Sequence, residues 1–124
     1  MFYLNENQRK EILFNAGLKC FKSGDYFQAH EEWEDLWSDY YLEDRKFIQG
    51  LIQLSVSFVH LQNENLKGAK SLLNKSQEKF KGFKKMHRNM NIEELIRQIK
   101  QVSHNYNSIE HIKEFNWELV PTLE

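Results

Sequence analysis

The chain contains one cysteine, one proline and five scattered glycines among its 124 residues. A lone Cys20 excludes an internal disulfide and a multi-cysteine metal site, and it suits a reducing compartment. The shortage of proline and of glycine clusters favours long helices over turn-rich β structure. No apolar run approaches the ~18 residues that a membrane-spanning helix needs, and residues 1–7 reach an acidic side chain too early for a signal peptide. We therefore expect a cytoplasmic protein without a membrane segment.

The chain also lacks a large net charge, because its 17 basic residues nearly balance its 18 acidic residues. No overall field attracts nucleic acid or an anionic membrane. The distribution is less even, since residues 31–44 hold seven acids and no base, whereas residues 67–88 hold eight Lys or Arg and one Glu. Without interleaved exposed aromatics, the basic segment is typical of a solvated helix face, so nucleic-acid binding is not expected. The two segments could pair within one molecule or between copies in a homo-oligomer.

Hydrophobic periodicity and capping residues predict a helical chain with no strand. A hydrophobic content of 40% is enough for the core of a single domain over residues 1–124. The predicted helices cover residues 6–23, 26–40, 43–62, 66–86 and 92–104, with Asn5, Asp25, Asn65 and Asn91 as caps. A short helical turn over 109–115 completes a C-terminal helical part within 91–116, before an extended tail at 120–122. The third helix is apolar almost all round and must be buried. The predicted fold is an all-α, compact bundle of about five helices around that central helix.

Two polar stripes interrupt the apolar faces of the second and third helices. On the second helix, His30 and Glu34 share an arc with aromatic residues, and Glu31 lies at its margin. The stripe on the third helix consists of Arg45, Gln49, Gln53 and His60. If the two helices pack antiparallel, the stripes face each other. A buried carboxylate needs a counter-ion and a buried imidazole needs partners for both nitrogens. We therefore expect one connected, buried network of His30, Glu34, Arg45, Gln53 and His60, in which Arg45 neutralises Glu34 or Glu31.

Three interpretations of these stripes remain open at this point. The network could only fix helix register, as structural ion-pair networks do. It could bind a small molecule or a protein partner through His30, Glu31, Trp33, Glu34, Trp37, Arg45, Gln49, Gln53 and His60. It could also serve a metal-assisted or acid–base, hydrolase-like enzyme built on His30, Glu31, Glu34 and His60.

The catalytic candidates in that third interpretation are His30 as general acid or base and Glu34 as the group that orients it. A divalent metal could be held by His30, Glu34 and His60, because helical residues four apart project together. The nearby Arg45 argues against a metal, since it competes for the same carboxylates. The cofactor and the identity of any partner stay unknown from these residues.

The same residues carry a resemblance to a known family. The segments concerned are Gly24-x-Tyr26-x-x-Ala29-His30-Glu31-x-Trp33-Glu34-x-x-Trp37, then Arg45, Phe47-x-Gln49-Gly50-Leu51-Ile52-Gln53, His60 and Asn65-x-x-Gly68-Ala69. Over about residues 10–85 the chain resembles the domain-of-unknown-function 309 family of small helical bacterial and archaeal proteins. The resemblance implies a compact helical bundle and selects the same polar positions, but it implies no reaction.

Overall fold

Five α-helices make up most of the computed structural model, which describes residues 3–124. Their bounds are α1 Glu6–Lys22, α2 Tyr26–Asp39, α3 Arg45–Gln62, α4 Leu66–Phe80 and α5 Ile92–Ser108. Each helix packs against the next one along the chain. The predicted all-α bundle is therefore confirmed.

The signal-peptide argument rests partly on residues 1 and 2, which lie outside the described residues. Within residues 3–124, no helix combines the length and the apolar character needed to cross a bilayer.

The predicted helix starts are set by side-chain caps. Asn5 and Gln8 form a reciprocal capping box at α1, with distances of 2.8 and 2.9 Å between side-chain oxygen and backbone nitrogen. Asp25, Asn65 and Asn91 each accept a hydrogen bond from the backbone N–H three residues further on. These bonds satisfy N–H groups that have no partner inside their own helix. Local chemistry therefore fixes four of the five helix starts.

The structure corrects the predicted end of α4 and the prediction that no strand is present. Helix α4 stops at Phe80 instead of continuing to residue 86, and a hairpin of β1 Met86–His87 and β2 Met90–Asn91 follows it. The antiparallel register pairs Met86 with Asn91 and His87 with Met90. The turn residues Arg88 and Asn89 have φ values of 47° and 62°, which reverse the chain tightly. Strands of two residues are too short to show a two-residue hydrophobic period, so the sequence pattern did not reveal them.

The C-terminal part differs from the prediction in length and in helix type. Helix α5 continues to Ser108, four residues beyond the predicted end at 104. The predicted turn over 109–115 is replaced by two short 3-10 helices, Ile112–Glu114 and Trp117–Leu119. The tail then returns to the hairpin, where the backbone N–H of Asn91 donates to the carbonyl of Glu124 at 2.8 Å.

Helix α3 lies at the centre of the core, as predicted, and ten of its residues are buried. Its buried Ser57 donates to the carbonyl of Ala69 at 2.7 Å and lies 3.0 Å from the Tyr106 hydroxyl, which ties α3 to α4 and α5. Only one stripe of α3 is partly open, and Gln49 and Gln53 lie on it. The buried packing of α3 thus directs its polar stripe toward the edge that it shares with α2.

Candidate binding cleft between α2 and α3

The two polar stripes meet at a small cleft. Its volume is about 160 Å³, and its lining consists of Glu34, Trp37, Gln49, Ile52 and Gln53. Glu34 and Trp37 come from α2, and the other three come from α3. The volume corresponds to about five water molecules at ~30 Å³ each. The cleft can therefore accommodate a polar group of a few non-hydrogen atoms.

Two polar atoms of residues that line this cleft are buried without a hydrogen-bond partner in the described part of the chain. They are Nε1 of Trp37, which is a donor, and Oε1 of Gln53, which is an acceptor. Among residues 3–124, no other buried side-chain nitrogen or oxygen lacks a partner. More than nine in ten buried polar groups in folded proteins are paired, so two exceptions at one place mark the cleft as unusual.

His30 lies one helical turn before the cleft residue Glu34 on α2, beside two carboxylates. Its Nδ1 is 3.4 Å from Glu31 Oε1, and its Nε2 is 3.7 Å from Glu34 Oε2. The predicted burial of this group is wrong: the side chains of His30 and Glu34 are 24% and 46% exposed. Both lie at the rim because α2 packs against α1 and α3 through Ala29, Trp33 and Leu36, which are fully buried. The imidazole and the carboxylates therefore meet in contact with solvent and not inside the core.

Arg45 contacts Trp37 and does not neutralise Glu34 or Glu31, contrary to the prediction. Its guanidinium carbon is 4.0 Å from the centre of the Trp37 ring, and its Nη1 donates to the Trp37 carbonyl at 3.3 Å. The last carbonyls of a helix have no partner inside the helix and carry partial negative charge. Since Trp37 is in the last turn of α2, its carbonyl and its ring together attract the guanidinium.

Two further predicted site residues, Trp33 and His60, lie outside the cleft. Trp33 is completely buried, and its Nε1 donates to the Phe14 carbonyl at 3.0 Å, which makes it a core residue. His60 Nδ1 accepts from Asn65 Nδ2 at 3.2 Å, near the start of α4. His60 is seven residues beyond Gln53, the nearest cleft residue on α3, and at 1.5 Å per residue it lies about 10 Å further along the helix axis. The single connected network predicted from the stripes is therefore wrong.

The sequence analysis also missed a half-buried ionic cluster formed by Asp44, His87 and Arg88. Arg88 Nε and Nη2 donate to the two Asp44 oxygens at 2.6 and 3.1 Å, and His87 Nε2 donates at 2.8 Å. Burial raises the pKa of the Asp44 carboxyl, but the hydrogen bonds from Arg88 and His87 outweigh it and lower that pKa below its ordinary value. The carboxylate is therefore engaged and does not cap α3, although Asp44 is its N-cap residue.

This cluster joins residues more than 40 positions apart, so no spacing in the sequence signals it. The dipeptide His87-Arg88, at the end of β1 and the start of the turn, was the only local sign. The contacts hold the hairpin against the start of α3. We assign the cluster a structural role.

Metal-ligand geometry is not present in the described residues. Across residues 3–124, no three His, Cys, Asp or Glu side chains are arranged so that they could hold a metal ion. His30 and Glu34 form a pair, and His60 is too far along α3 to complete it. The polar side chains that line the cleft are instead one indole, two carboxamides and one carboxylate.

Comparison with known proteins gives one finding. The model of the family described as "Domain of unknown function (DUF309)" matches residues 14–72. No curated protein matches the chain. The matched segment contains all of α2 and α3, and therefore every residue that lines the cleft. This match confirms, over residues 14–72, the family resemblance predicted from the sequence, and the description of the family assigns no function.

Proposed function

We propose that this chain is a binding module, and that the cleft between α2 and α3 receives a polar group from a small ligand or a protein partner. The main support is the unpaired state of Trp37 Nε1 and Gln53 Oε1. A buried polar atom without a partner costs about 1–3 kcal/mol. In this proposal the two side chains turn toward the cleft, where an occupant that offers both an acceptor and a donor removes both costs at once. That recovered free energy is the physical basis of the proposed binding.

The position of the cleft is consistent with access from outside. Glu34 is 46% exposed, whereas Trp37 Nε1 and Gln53 Oε1 have almost no accessible surface. Ile52 supplies an apolar wall between the polar groups. Pockets that bind ligands commonly combine an apolar lining with a few placed polar groups. The arrangement thus resembles a small recognition site more than a closed structural network.

The test uses the indole N–H signals in the NMR spectrum of the ¹⁵N-labelled full chain. A panel of low-molecular-weight polar fragments and capped tripeptides is screened, and the Trp37 signal is identified by its loss in Trp37→Phe. We expect binders to shift the Trp37 signal and to bind Trp37→Phe at least tenfold more weakly. The stability of Trp37→Phe should change by less than about 1 kcal/mol, because the variant removes an unpaired N–H and keeps an aromatic ring beneath Arg45.

The matched control is Trp117→Phe, the same substitution at a side chain that is 43% exposed and stacks on Tyr26, away from the cleft. It should bind the same fragments as the wild type. If no fragment shifts the Trp37 signal, the cleft is only hydrated and the proposal is refuted. Equal weakening in both variants would also refute it, because binding would then not depend on the cleft.

A second candidate function is acid–base hydrolysis at His30. The observation that favours it is the placement of Glu31 and Glu34 next to the two ring nitrogens, at 3.4 and 3.7 Å. A carboxylate beside one nitrogen can orient an imidazole that acts as general base. This version does not include His60, which lies far from the pair. It therefore rests on fewer groups than the binding proposal.

Hydrolysis of p-nitrophenyl acetate and p-nitrophenyl phosphate, with and without added Zn²⁺, tests this candidate. An enzyme centred on His30 should lose its activity in His30→Gln and keep it in His104→Gln, a control on the exposed face of α5. Equal rates in the wild type and in His30→Gln would eliminate the enzyme hypothesis for these substrate classes.

A further inference from the structure

A cavity of about 650 Å³ lies beside the hairpin and shares no residue with the cleft between α2 and α3. Its walls come from α1, the loop between α2 and α3, the segment after α4 and the hairpin. The side chains that matter here are Tyr41, Leu42 and Phe83 on the apolar side, and the ionic cluster of Asp44, His87 and Arg88 on the polar side. Cavities that bind small organic molecules measure about 300–1,000 Å³, so this one has room for such a molecule.

The Asp44 carboxylate fixes the position of the proton on the His87 ring. The hydrogen bonds that outweigh burial hold the pKa of Asp44 below its ordinary value, so its carboxyl is ionised at neutral pH. An ionised carboxylate only accepts hydrogen bonds, and the 2.8 Å contact with His87 Nε2 therefore requires the proton on Nε2. In the neutral imidazole the other nitrogen, Nδ1, then carries a lone pair and no hydrogen.

The structural role of the cluster uses only this one nitrogen of His87. Within residues 3–124, Nδ1 makes no hydrogen bond, since the bond to Asp44 engages Nε2 alone. The two buried side-chain atoms that lack a partner in the same range belong to Trp37 and Gln53, so Nδ1 is not a buried atom. The His87 side chain is 30% exposed and lines the cavity. A bare, basic nitrogen is thus accessible at the cavity wall.

The imidazole is also held firmly in place. The rings of Phe47 and Phe83 lie against it, with centres 4.5 and 4.7 Å from its own. Asp44 in turn is fixed by two hydrogen bonds from Arg88, at 2.6 and 3.1 Å. A catalytic side chain works best when packing and supporting hydrogen bonds lock its orientation, and His87 meets this condition.

We infer that His87 is a general base that activates a water molecule for the hydrolysis of an aryl ester, at a site separate from both functions proposed above. Nδ1 takes a proton from the water molecule as the water oxygen attacks the carbonyl carbon. The bond between that carbon and the phenolic oxygen then breaks, and the leaving phenolate takes the proton back from the imidazolium. Water and the ester are the only reactants, and a carboxylic acid and a phenol are the products.

The lining of the cavity favours this class of substrate. Tyr41, Leu42 and Phe83 offer an apolar and largely aromatic surface to the aryl group. Lys10 also lines the cavity, and its ammonium group favours the negative charge that develops on the ester oxygens during the attack. The carboxylates of Glu43 and Asp44 line the same space and repel a phosphate dianion, so a neutral ester is favoured over a phosphate ester.

The test measures multiple turnovers of p-nitrophenyl acetate by the full chain, so that a single acylation of surface lysines does not contribute. In His87→Gln the side-chain amide can still donate to Asp44 but cannot act as a base. A general base contributes about 10²–10⁴-fold to a rate, so we expect kcat/KM to fall by about a hundredfold in this variant. His104→Gln removes an exposed imidazole on α5 and is the control, which should keep the wild-type kcat/KM. The protein should hydrolyse p-nitrophenyl phosphate more slowly than the acetate.

Two further variants separate positioning from binding. Asp44 acts through His87, so Asp44→Asn should lower kcat and leave KM unchanged. ¹⁵N spectra of the neutral imidazole should show the proton on Nε2 in the wild type and on both nitrogens in turn in Asp44→Asn, a signature that a purely structural contact would not give. Tyr41→Ala should raise KM instead. Phe27→Ala, at an exposed aromatic residue of α2 outside the cavity, is its control and should keep the wild-type KM.

The possible outcomes are distinct. Equal kcat/KM in the wild type and in His87→Gln overturns the inference. Activity that is lost in His30→Gln and kept in His87→Gln assigns hydrolysis to the second candidate function and overturns it as well. If His87→Gln does not fold, the wild-type spectra decide: a proton on Nδ1 refutes the inference, whereas a bare Nδ1 whose signal shifts with p-nitroacetanilide, the amide analogue of the ester, supports it. Fragment binding at Trp37 is a separate measurement, so neither result depends on the other.

Discussion

Replacement of Gly17 by alanine tests the packing that positions α2, and hence one side of the cleft. Gly17 is buried in α1 and faces the Trp33 ring. A Cβ added at Gly17 would lie 2.5 Å from the Trp33 atoms Cδ1 and Cε2. Carbon atoms in contact normally lie about 3.5–4.0 Å apart, so the ring or the helix must move by roughly 1 Å. Trp33 has no exposed surface into which it can shift.

Three effects determine the size of the loss. Overpacking of a well-filled core costs about 1–3 kcal/mol. The movement also weakens the 3.0 Å hydrogen bond from Trp33 Nε1 to the Phe14 carbonyl, which adds about 0.5–1.5 kcal/mol. Alanine is the better helix former by about 1 kcal/mol, which offsets part of the loss. We expect Gly17→Ala to lower the free energy of unfolding by about 2 kcal/mol.

Urea unfolding followed by circular dichroism at the helix band measures this change, and near-ultraviolet dichroism reports the environment of Trp33. Gly82→Ala is the control, because a Cβ at that position meets nothing within 4 Å and its stability should remain within about 0.5 kcal/mol of the wild type. Gly24→Ala separates backbone strain from crowding, since Gly24 has open space around it but a φ of 85°. It should cost about 1–2 kcal/mol without a change in the Trp33 signal. A Gly17→Ala protein as stable as Gly82→Ala would refute the packing argument.

Two further predictions concern polar groups in the core and at the hairpin. The lowered pKa of Asp44 means that its contribution to stability is present above its unfolded-state pKa and is lost as the pH falls through the folded-state pKa. Asp44→Asn should therefore be less stable than the wild type at pH 7 and should lose less stability on acidification. Urea unfolding midpoints measured from pH 7 down to pH 2 test this. Parallel pH curves for the wild type and Asp44→Asn would contradict it. Ser57→Ala removes the bonds to the Ala69 carbonyl and the Tyr106 hydroxyl, so it should cost about 1–3 kcal/mol. Tyr106→Phe leaves the bond to Ala69 in place and should cost less, and thermal unfolding that ranks the two variants in the opposite order would rule out this assignment.

The helices could be predicted from the sequence because their signals are local. A cap such as Asn65 interacts with a backbone group three residues away, and the apolar stripe of α3 repeats within single turns. The same reasoning located the polar stripes on α2 and α3, and the structure does bring Glu34 opposite Gln49 and Gln53. It failed at α4, where the chain turns into a hairpin that is held by contacts with a distant segment.

The partners of the polar side chains could not be predicted from the sequence. Each side chain has several chemically suitable partners, and the packing of the helices decides which of them lies within hydrogen-bonding distance. Arg45 could pair with the Glu34 carboxylate, with the Trp37 ring or with the Trp37 carbonyl at the end of α2. The packing of α2 on α3 places the guanidinium against the ring and the carbonyl of Trp37. Trp33 and Trp37 share a face of the same helix, but Trp33 packs against Gly17 in the core, whereas Trp37 borders the cleft.

Taken alone, the amino-acid sequence determined the helical class, four of the five helix starts, the central position of α3 and the family resemblance that the match over residues 14–72 supports. Only the tertiary structure decided which polar atoms lack partners, and it assigned Asp44 to His87 and Arg88 across more than 40 residues. The physical reason is the range of the forces involved. Helix periodicity and caps act over three or four residues, whereas burial and hydrogen-bond pairing depend on the distances between helices after they have packed.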